Sequence, residues 1–212
     1  MIKFDNVDLA YDGKNVFTSL SLEIKHGEKV VISGKSGLGK SSLFSLILGF
    51  VQPTGGKIFF DGICVDEKTA WDVRKKVSLI DQDVSLGVDR VSDWILFVSG
   101  FRANTSLDFG KKKVEELMSC FDLNHDLINK NISELSGGER QRIAIVLSIL
   151  LERKFFLLDE VTSALDKYLK KKVADFFIGE KEWTVVVISH DSIWLDNASV
   201  KVFDLETGKW KL

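Results

Sequence analysis

A glycine-rich turn near the start of the chain carries the residue types that bind a polyphosphate. Residues 34–41 read Gly-Lys-Ser-Gly-Leu-Gly-Lys-Ser and match G-x-x-x-x-G-K-[ST] at every fixed position. Glycines allow successive backbone N–H groups to turn toward an anion, and the helix that follows adds its positive end. Lys40 is expected to reach the β- and γ-phosphates, and the Ser41 hydroxyl is expected to bind Mg²⁺. The predicted phosphate-binding residues are Gly34, Ser36, Gly37, Leu38, Gly39, Lys40, Ser41 and Ser42.

Two adjacent carboxylates follow an apolar segment much later in the chain. Phe155–Asp159 is typical of a buried strand, and Glu160 comes directly after it. An acid at the carboxyl end of a parallel strand beside such a turn can hold Mg²⁺, and the next acid can deprotonate an attacking water. Alone, the pair could simply begin the next helix, since acids favour that position. Beside the glycine turn, hydrolysis is the favoured interpretation.

A second glycine turn identifies the family that the chain resembles. Ser136-Gly137-Gly138 precedes an amphipathic helix and predicts a second helix start that accepts an anion. With its neighbours it reads Leu-Ser-Gly-Gly-Glu, which resembles the signature of the ATP-binding cassette (ABC) superfamily. The family's other landmarks follow in order from Tyr11 to His190, so the resemblance covers essentially the whole chain.

The resemblance implies roles for further residues. Tyr11 resembles the aromatic residue that stacks on adenine, and Gln82 the glutamine that senses Mg²⁺ and the γ-phosphate and faces a transport partner. Residues 163–166, Ser-Ala-Leu-Asp, resemble the loop that crosses a dimer interface. His190 resembles the switch histidine that contacts the γ-phosphate. The dimer-interface residues implied in this way are Ser163, Ala164, Leu165 and Asp166.

The resemblance also implies a mechanism. Family members form head-to-tail dimers with two ATP molecules between the subunits, each between one chain's glycine-rich turn and the other chain's signature. Ser136 and the Gly137–Gly138 backbone would then bind the γ-phosphate in trans. Glu160 is the expected general base, His190 and Gln82 support catalysis, and Ser41, Gln82 and Asp159 hold Mg²⁺. ATP closes the dimer, and hydrolysis opens it.

Alternating strands and helices predict an α/β fold with a mainly parallel sheet. The resemblance refines this to a P-loop NTPase core with an antiparallel N-terminal β subdomain and an inserted α-helical subdomain. We expect one domain over 1–212, with the core at 1–83 and 134–212 and the helical subdomain at 84–133. Strands are predicted at Ile2–Tyr11, Leu20–Ile24, Lys29–Ser33, Lys57–Asp61, Val77–Ile80, Phe155–Asp159 and Thr184–Ser189. Helices are predicted from about Gly39 to Gly49 and at Lys111–Phe121, Gly138–Glu152 and Asp166–Ile178.

Composition and apolar patterning predict where the protein works. A formal net charge of −2 and a pI near 6.0 give no basic signature, so no nucleic-acid partner is expected. Apolar runs are too short to span a membrane, and the N-terminus lacks the apolar region of a signal peptide. We expect a cytoplasmic protein with Cys64 and Cys120 reduced and buried. The resemblance implies that it is peripheral on the inner face of the cell membrane.

The resemblance implies a separate integral membrane permease as partner, reached through Gln82 and the helical subdomain. The segment Val84–Phe101 is rich in apolar side chains, of which some would form a core and others a docking groove. In finer detail the chain resembles short ABC ATPases of metal (iron) export, although Val161 stands where the family usually has proline. Import ATPases for nutrients and ATPases that handle lipoproteins or peptides are alternatives within the transporters. The alternatives outside them are a soluble ABC ATPase acting on macromolecules or cofactor assembly, and a P-loop kinase. The transported substrate and the direction of transport are not encoded in these residues.

Overall fold

The computed structural model describes residues 1–82 and 89–211. Its strands are β1 (Ile2–Tyr11), β2 (Lys14–Ile24), β3 (Lys29–Ser33), β4 (Gly55–Phe60), β5 (Ile63–Cys64), β6 (Val77–Ile80), β7 (Phe155–Asp159), β8 (Thr184–Ile188), β9 (Lys201–Asp204) and β10 (Lys209–Trp210). Its α-helices are α1 (Lys40–Ile47), α2 (Ala70–Lys76), α3 (Val91–Ser99), α4 (Lys111–Cys120), α5 (Gly137–Leu150), α6 (Lys167–Gly179) and α7 (Ser192–Leu195). Two short 3₁₀-helices span His125–Asn129 and Ile132–Glu134.

The larger sheet has the strand order β10-β9-β3-β8-β7-β6, and every neighbouring pair is parallel except β10 with β9. Its central strands are buried on both faces because alternate side chains enter two different cores. Val30 and Ile32 pack into one core, and Val31 between them packs into the other. Strands β7 and β8 alternate in the same way, which explains their unbroken apolar sequences.

The smaller sheet is antiparallel, in the order β2-β1-β4-β5. Strand β1 lies in its middle, with Ile2 paired to Ile24 on one side and to Phe60 on the other. The buried side chains of this sheet share a core with α1 and with one face of the larger sheet. Because β3 and α1 are both anchored in this core, the turn that joins them has a fixed position.

The segment between β6 and α5 contains mostly helices in its described part, and its two ends lie close together. The N–H of Val91 donates to the carbonyl of Lys130 at 3.1 Å, and Arg90 forms an isolated bridge with Asn131. The two ends of the segment therefore lie side by side, as in an insertion. Helices α3 and α4 and the 3₁₀-helices share one core with α5. The border at 83/84 lies outside the described residues, so the subdomain limits stay a prediction.

The predicted fold class is confirmed, and four strands have the predicted bounds: Ile2–Tyr11, Lys29–Ser33, Val77–Ile80 and Phe155–Asp159. Strand β2 begins at Lys14 rather than Leu20 because the Asp12–Gly13 turn forms a hairpin that also pairs its polar residues. Helix α2 and strand β5 were not predicted. Both are short, and neither has a full period of apolar residues.

The prediction that both cysteines are buried is wrong. Cys120 is exposed, and Cys64 is half-buried. Cys120 ends α4 two positions after the buried Met118, so it lies on another face of the helix. Within the described residues, no helix combines the length and the apolar character that crossing a membrane requires.

Candidate nucleotide-binding site

The P-loop, residues 34–41, joins the carboxyl end of β3 to the first turn of α1. Gly37 and Gly39 have φ of 80° and 85°, in the left-handed region that costs other residues energy. A Cβ atom on Gly39 would lie 2.2 Å from Cγ1 of Val16, which packs over the loop. The loop therefore needs glycine at position 39 for two reasons, its backbone conformation and its close contact with β2.

Lys40 lies inside the P-loop with its side chain almost fully buried. Its Nζ donates to the carbonyls of Gly34 at 2.8 Å and Lys35 at 2.9 Å. An ammonium group has three donors, so two of them hold the amine in the loop and the third is available to a ligand. On the outer side of the loop, the exposed side chain of Lys35 pairs with Glu206 of the β9–β10 turn at 2.7 Å.

Asp159 and Ser41 meet although they are 118 residues apart in the chain. The Ser41 hydroxyl donates to Oδ2 of Asp159 at 2.7 Å. Burial raises the pKa of the Asp159 carboxyl, the hydrogen bond from Ser41 opposes this, and the charges of Asp81 and Glu160 raise it further. A hydroxyl and a carboxylate are hard oxygen donors that suit Mg²⁺ with phosphate oxygens and water. The donor set thus fits the predicted metal.

Gln82 follows β6, the strand that pairs with β7 so that Ile80 lies opposite Leu158. Parallel neighbours end at the same edge of a sheet, which places Asp81 and Gln82 on the edge that carries Asp159. Gln82 is exposed there, and its backbone N–H donates to the Asp81 carboxylate at 2.8 Å.

Glu160 has a backbone conformation that is rare for its residue type, with φ of 46°. Its N–H donates to the carbonyl of Ile188 at 2.9 Å, and its carbonyl accepts from the N–H of Ser163 at 3.0 Å. Glu160 and His190 line the same open cavity, which has a volume of about 320 Å³. The cavity is lined by Glu160, Thr162, Ser163, Lys170, Ser189, His190 and Asp191.

The loop that carries the exposed His190 is anchored by its neighbour Asp191. Oδ2 of Asp191 pairs with Nζ of Lys170 at 2.7 Å and accepts from the Thr162 hydroxyl at 3.4 Å. The N–H of Asp191 also donates to the hydroxyl of Ser189 at 3.0 Å. The ion pair is partly buried, which limits screening by salt, so the loop that presents His190 is held to α6.

The signature turn, Ser136–Gly138, begins α5 with a capping box. The Ser136 hydroxyl oxygen accepts from the N–H of Glu139 at 3.2 Å, and a Glu139 carboxylate oxygen accepts from the N–H of Ser136 at 2.8 Å. This second bond lowers the pKa of Glu139. Since capping uses only a lone pair of Ser136, its hydroxyl proton remains a donor. Ser136 and Gly137 are exposed, so this donor faces the surface.

The crossing loop, Ser163–Asp166, lies against the signature turn. A Cβ atom on Gly138 would lie 3.1 Å from the carbonyl of Ala164. Ser163 and Ala164 are exposed, whereas Leu165 is buried within its own chain. Asp166 caps α6 by accepting the N–H of Leu169 at 2.9 Å.

The predicted residues fall into two groups within one chain. One group lies along the carboxyl edge of the larger sheet and comprises the P-loop, Gln82, Asp159, Glu160 and His190. Tyr11 ends β1 and is 43% exposed. The signature turn contacts the crossing loop instead. Among the described residues, no hydrogen bond joins the signature turn to the P-loop of the same chain.

Four residues at the site were missed by sequence reasoning: Asp81, Gln141, Lys170 and Asp191. Gln141 was detectable in principle, because it shares a helix face with Ile145 and Ser148 and is a polar residue among apolar ones. The Lys170–Asp191 pair had no local signal, since its partners are 21 residues apart and sit on different elements.

Comparisons with known proteins agree with this geometry. A family model described as ABC transporter matches residues 17–163. The chain is 31% identical to the ATP-dependent lipid A-core flippase of Ralstonia nicotianae over 98% of this chain, but spans only 36% of that protein. It is 30% identical to the probable iron export ATP-binding protein FetA of Escherichia coli K12, over 97% of this chain and 91% of that protein.

A solved structure extends the similarity to the whole chain. The ATP-binding cassette MJ0796, determined as a dimer in a post-hydrolysis state with ADP and Pi, superposes with a TM-score of 0.82 at 26% identity. The match covers 100% of this chain and 97% of that one. Because the family model spans the P-loop, the signature turn and both acids, the chain belongs to the ABC transporter family as one of its ATP-binding cassettes.

Proposed function

We propose that the chain binds and hydrolyses ATP with Mg²⁺ as one half of a head-to-tail dimer that drives a separate membrane permease. The observation that carries the proposal is the 2.7 Å hydrogen bond between Ser41 and Asp159. It brings the P-loop to the end of β7, where Glu160 faces a cavity shared with His190. A phosphate cradle, a metal-binding acid and a general base thus meet at one edge of the sheet.

The P-loop binds the triphosphate. Its backbone N–H groups and the first turn of α1 offer donors to phosphate oxygens, and Lys40 adds a positive charge from inside the loop. Ser41 and Asp159 would hold Mg²⁺, which neutralises phosphate charge when bound. Tyr11 offers an exposed aromatic face for adenine.

Glu160 and His190 carry the chemical step. The Glu160 carboxylate accepts a proton from water as the water oxygen attacks the γ-phosphorus and the bond to the bridging oxygen of ADP breaks. His190, on the same cavity, donates to the γ-phosphate oxygens and keeps the group in line. The anchoring of Asp191 by Lys170 keeps this histidine within reach.

The exposure of the signature turn supports the proposal of a dimer. Ser136 and Gly137 are exposed and present unused donors, and the P-loop of the same chain makes no hydrogen bond to them among the described residues. A second copy whose P-loop carries ATP satisfies both surfaces at once. The related cassette MJ0796 was solved as a dimer.

The exposed aromatic side chains of α3 and of the turn after it support the proposal of a membrane partner. Trp94, Phe97 and Phe101 form a ladder of edge-to-face rings, with centroid distances of 5.3 Å and 4.9 Å. Phe97 and Phe101 are 57% and 49% exposed, and Leu96 is 72% exposed. Large exposed apolar patches mark interaction surfaces, and this one lies on the predicted permease side.

The proposal concerns the ATPase and does not identify the transported substrate. Metal export is supported by the similarity to FetA, but the lipid A-core flippase matches at nearly the same identity. Capture from detergent-solubilised membranes of the host distinguishes the alternatives. A stoichiometric polytopic protein supports the permease, whereas recovery only with ribosomal, DNA-bound or assembly proteins supports a soluble ATPase.

Glu160→Gln tests the ATPase itself. The variant keeps the volume of the side chain but cannot accept the proton, so we expect ATP binding to persist and turnover to fall at least about a hundredfold. ATP should then hold the dimer closed, which size-exclusion chromatography with and without ATP measures.

Lys40→Ala is the contrasting variant, because it should lose ATP affinity and turnover together. Normal turnover by Glu160→Gln would remove Glu160 from the role of base. Tight ATP binding by Lys40→Ala would contradict the assignment of the P-loop.

A further inference from the structure

We propose that Gln141 is a positioning residue that holds the backbone of Glu160 in the conformation needed for hydrolysis. Gln141 lies on α5, five positions after Ser136, and is only 2% exposed. Its amide is thus a buried polar group for which the mechanism above has no use. The inference rests on the proposed function, because it concerns the residue that we identify as the general base.

The amide of Gln141 bridges two backbone groups of the segment that follows β7. Its Nε2 donates to the carbonyl of Glu160 at 3.2 Å, and its Oε1 accepts from the N–H of Ala164 at 3.3 Å. A carbonyl can only accept and a backbone N–H can only donate, so the two partners determine the orientation of the amide. Both ends of the side chain are used, and both contact the segment between Glu160 and Ala164.

Glu160 needs such restraint because its backbone is strained. A φ of 46° is uncommon for a residue with a Cβ atom, and conformations of this kind persist where the surroundings enforce them. Three hydrogen bonds do so here. The N–H of Glu160 is held by Ile188 of β8, and its carbonyl accepts from both Ser163 and Gln141.

The direction of the Glu160 carboxylate follows from this backbone conformation. Without Gln141, the carbonyl keeps only the local turn contact from Ser163, and the Ala164 N–H loses its partner. The strain can then relax, and the carboxylate leaves its position at the cavity. Gln141 also connects α5, which begins at the signature turn, to the exposed Ala164 of the crossing loop. A shift of either element is thereby transmitted to the base.

Gln141→Met tests the inference, since methionine has a similar length but no donor. We expect kcat for ATP to fall about tenfold to a hundredfold, as misplacing a reacting group by about 1 Å does, while KM changes by less than about twofold. Rates are expressed per ATP-binding site measured in the same preparation, so loss of folded protein does not count.

Ser148→Ala is the matched control. Ser148 lies on the same face of α5, is 5% exposed, and donates within the helix to the carbonyl of Ile145 at 2.7 Å. Its removal also costs a buried hydrogen bond but touches neither Glu160 nor Ala164. We expect wild-type kcat from this variant.

A double variant separates positioning from general stability. If Gln141 acts through the carboxylate of Glu160, adding Gln141→Met to Glu160→Gln should not lower the residual single-turnover rate further. A structural role would reduce the rate by the same factor in both backgrounds.

Three results would overturn the inference. Wild-type kcat in Gln141→Met, with Glu160→Gln inactive, rejects it and leaves the proposed function intact. An equal further loss in the double variant rejects positioning in favour of stability. Full activity of Glu160→Gln overturns the proposed role of the base and this inference with it.

Discussion

The P-loop and the signature turn both use glycine before a helix, but for different physical reasons. In the P-loop, Gly37 and Gly39 have positive φ, and no side chain caps α1. In the signature turn, Gly137 and Gly138 belong to the first turn of α5 without positive φ, and Ser136 caps the helix. P-loop glycines are required by the backbone conformation of the loop itself, whereas the signature glycines leave room for the crossing loop, because an added Cβ on either would approach Ala164.

Because the glycines serve different purposes, substitutions in the two turns should have different effects. Damage to the P-loop disturbs the packing against β2 and the nucleotide site together. Damage to the signature turn should leave the chain folded and its own P-loop intact, and should remove only the surface that we propose a second subunit binds. The following substitutions test that contrast.

Gly39→Ala should have the largest effect. Positive φ costs a residue with Cβ about 1–2 kcal/mol, and the 2.2 Å approach to Val16 adds about 1–3 kcal/mol of overpacking. Urea unfolding should show a loss near the sum of these two terms, and ATP binding by fluorescence titration should be abolished.

Gly37→Ala is its control, because φ is 80° but, chain neighbours aside, no atom of the described residues lies within 4 Å of the added Cβ. It should lose only the conformational term of about 1–2 kcal/mol. Equal losses in the two variants would show that the contact with Val16 does not matter.

Gly138→Ala should have a smaller effect on folding and a specific effect on turnover. Alanine favours a helix over glycine by about 1 kcal/mol, which offsets the tight contact of its Cβ with the Ala164 carbonyl at 3.1 Å. We expect ATP binding within about twofold of wild type. Relief of the contact with Ala164 should shift the turn, so that a backbone N–H no longer reaches the γ-phosphate held by the second subunit, and turnover should fall about a hundredfold, as when an oxyanion donor is lost. ATP hydrolysis and ATP-dependent dimerisation measure this.

Gly179→Ala is the matched control at the end of α6, where an added Cβ would have no contact within 4 Å among the residues that the structure describes. It should keep wild-type turnover. Loss of ATP binding in Gly138→Ala would contradict the separation of the two turns.

The smallest predicted effect concerns the acid that contacts each turn. Burial raises the pKa of Asp159 beside the P-loop, whereas the Ser136 N–H lowers the pKa of Glu139 in the signature turn. A raised carboxyl pKa makes the ionised form destabilising at neutral pH, and a lowered one makes it stabilising. Without nucleotide or Mg²⁺, Asp159→Asn should therefore raise the unfolding midpoint at pH 7, and Glu139→Gln should lower it.

The pH dependence checks the sign. As pH falls through the raised pKa of Asp159, the acid becomes neutral and the advantage of Asp159→Asn should disappear. The stabilisation from Glu139 is lost as pH falls through its lowered pKa, so the deficit of Glu139→Gln should shrink at lower pH. Thermal unfolding from pH 7 downward measures both, and differences of the same sign would contradict the electrostatic assignment.

The sequence carries the most information where a function needs neighbouring residues. The P-loop, the Asp159–Glu160 pair and the signature turn are each a run of neighbouring residues. Their spacing can therefore be recognised without knowledge of the fold. Leu165 shows the limit of this reasoning. It was assigned to the dimer interface with its loop, but the structure buries it within its own chain. A contiguous motif does not reveal which of its side chains point inward.

Residue patterns were enough to identify the family, the α/β class and the residue types of both glycine turns. Three contacts became known only from the folded chain: Ser41 with Asp159, Gln141 with Glu160 and Ala164, and Lys170 with Asp191 in the loop that carries His190. They could not be predicted because each joins different elements. They depend on the order of strands in the sheet and on the packing of α5 and α6, which no local pattern of residues encodes.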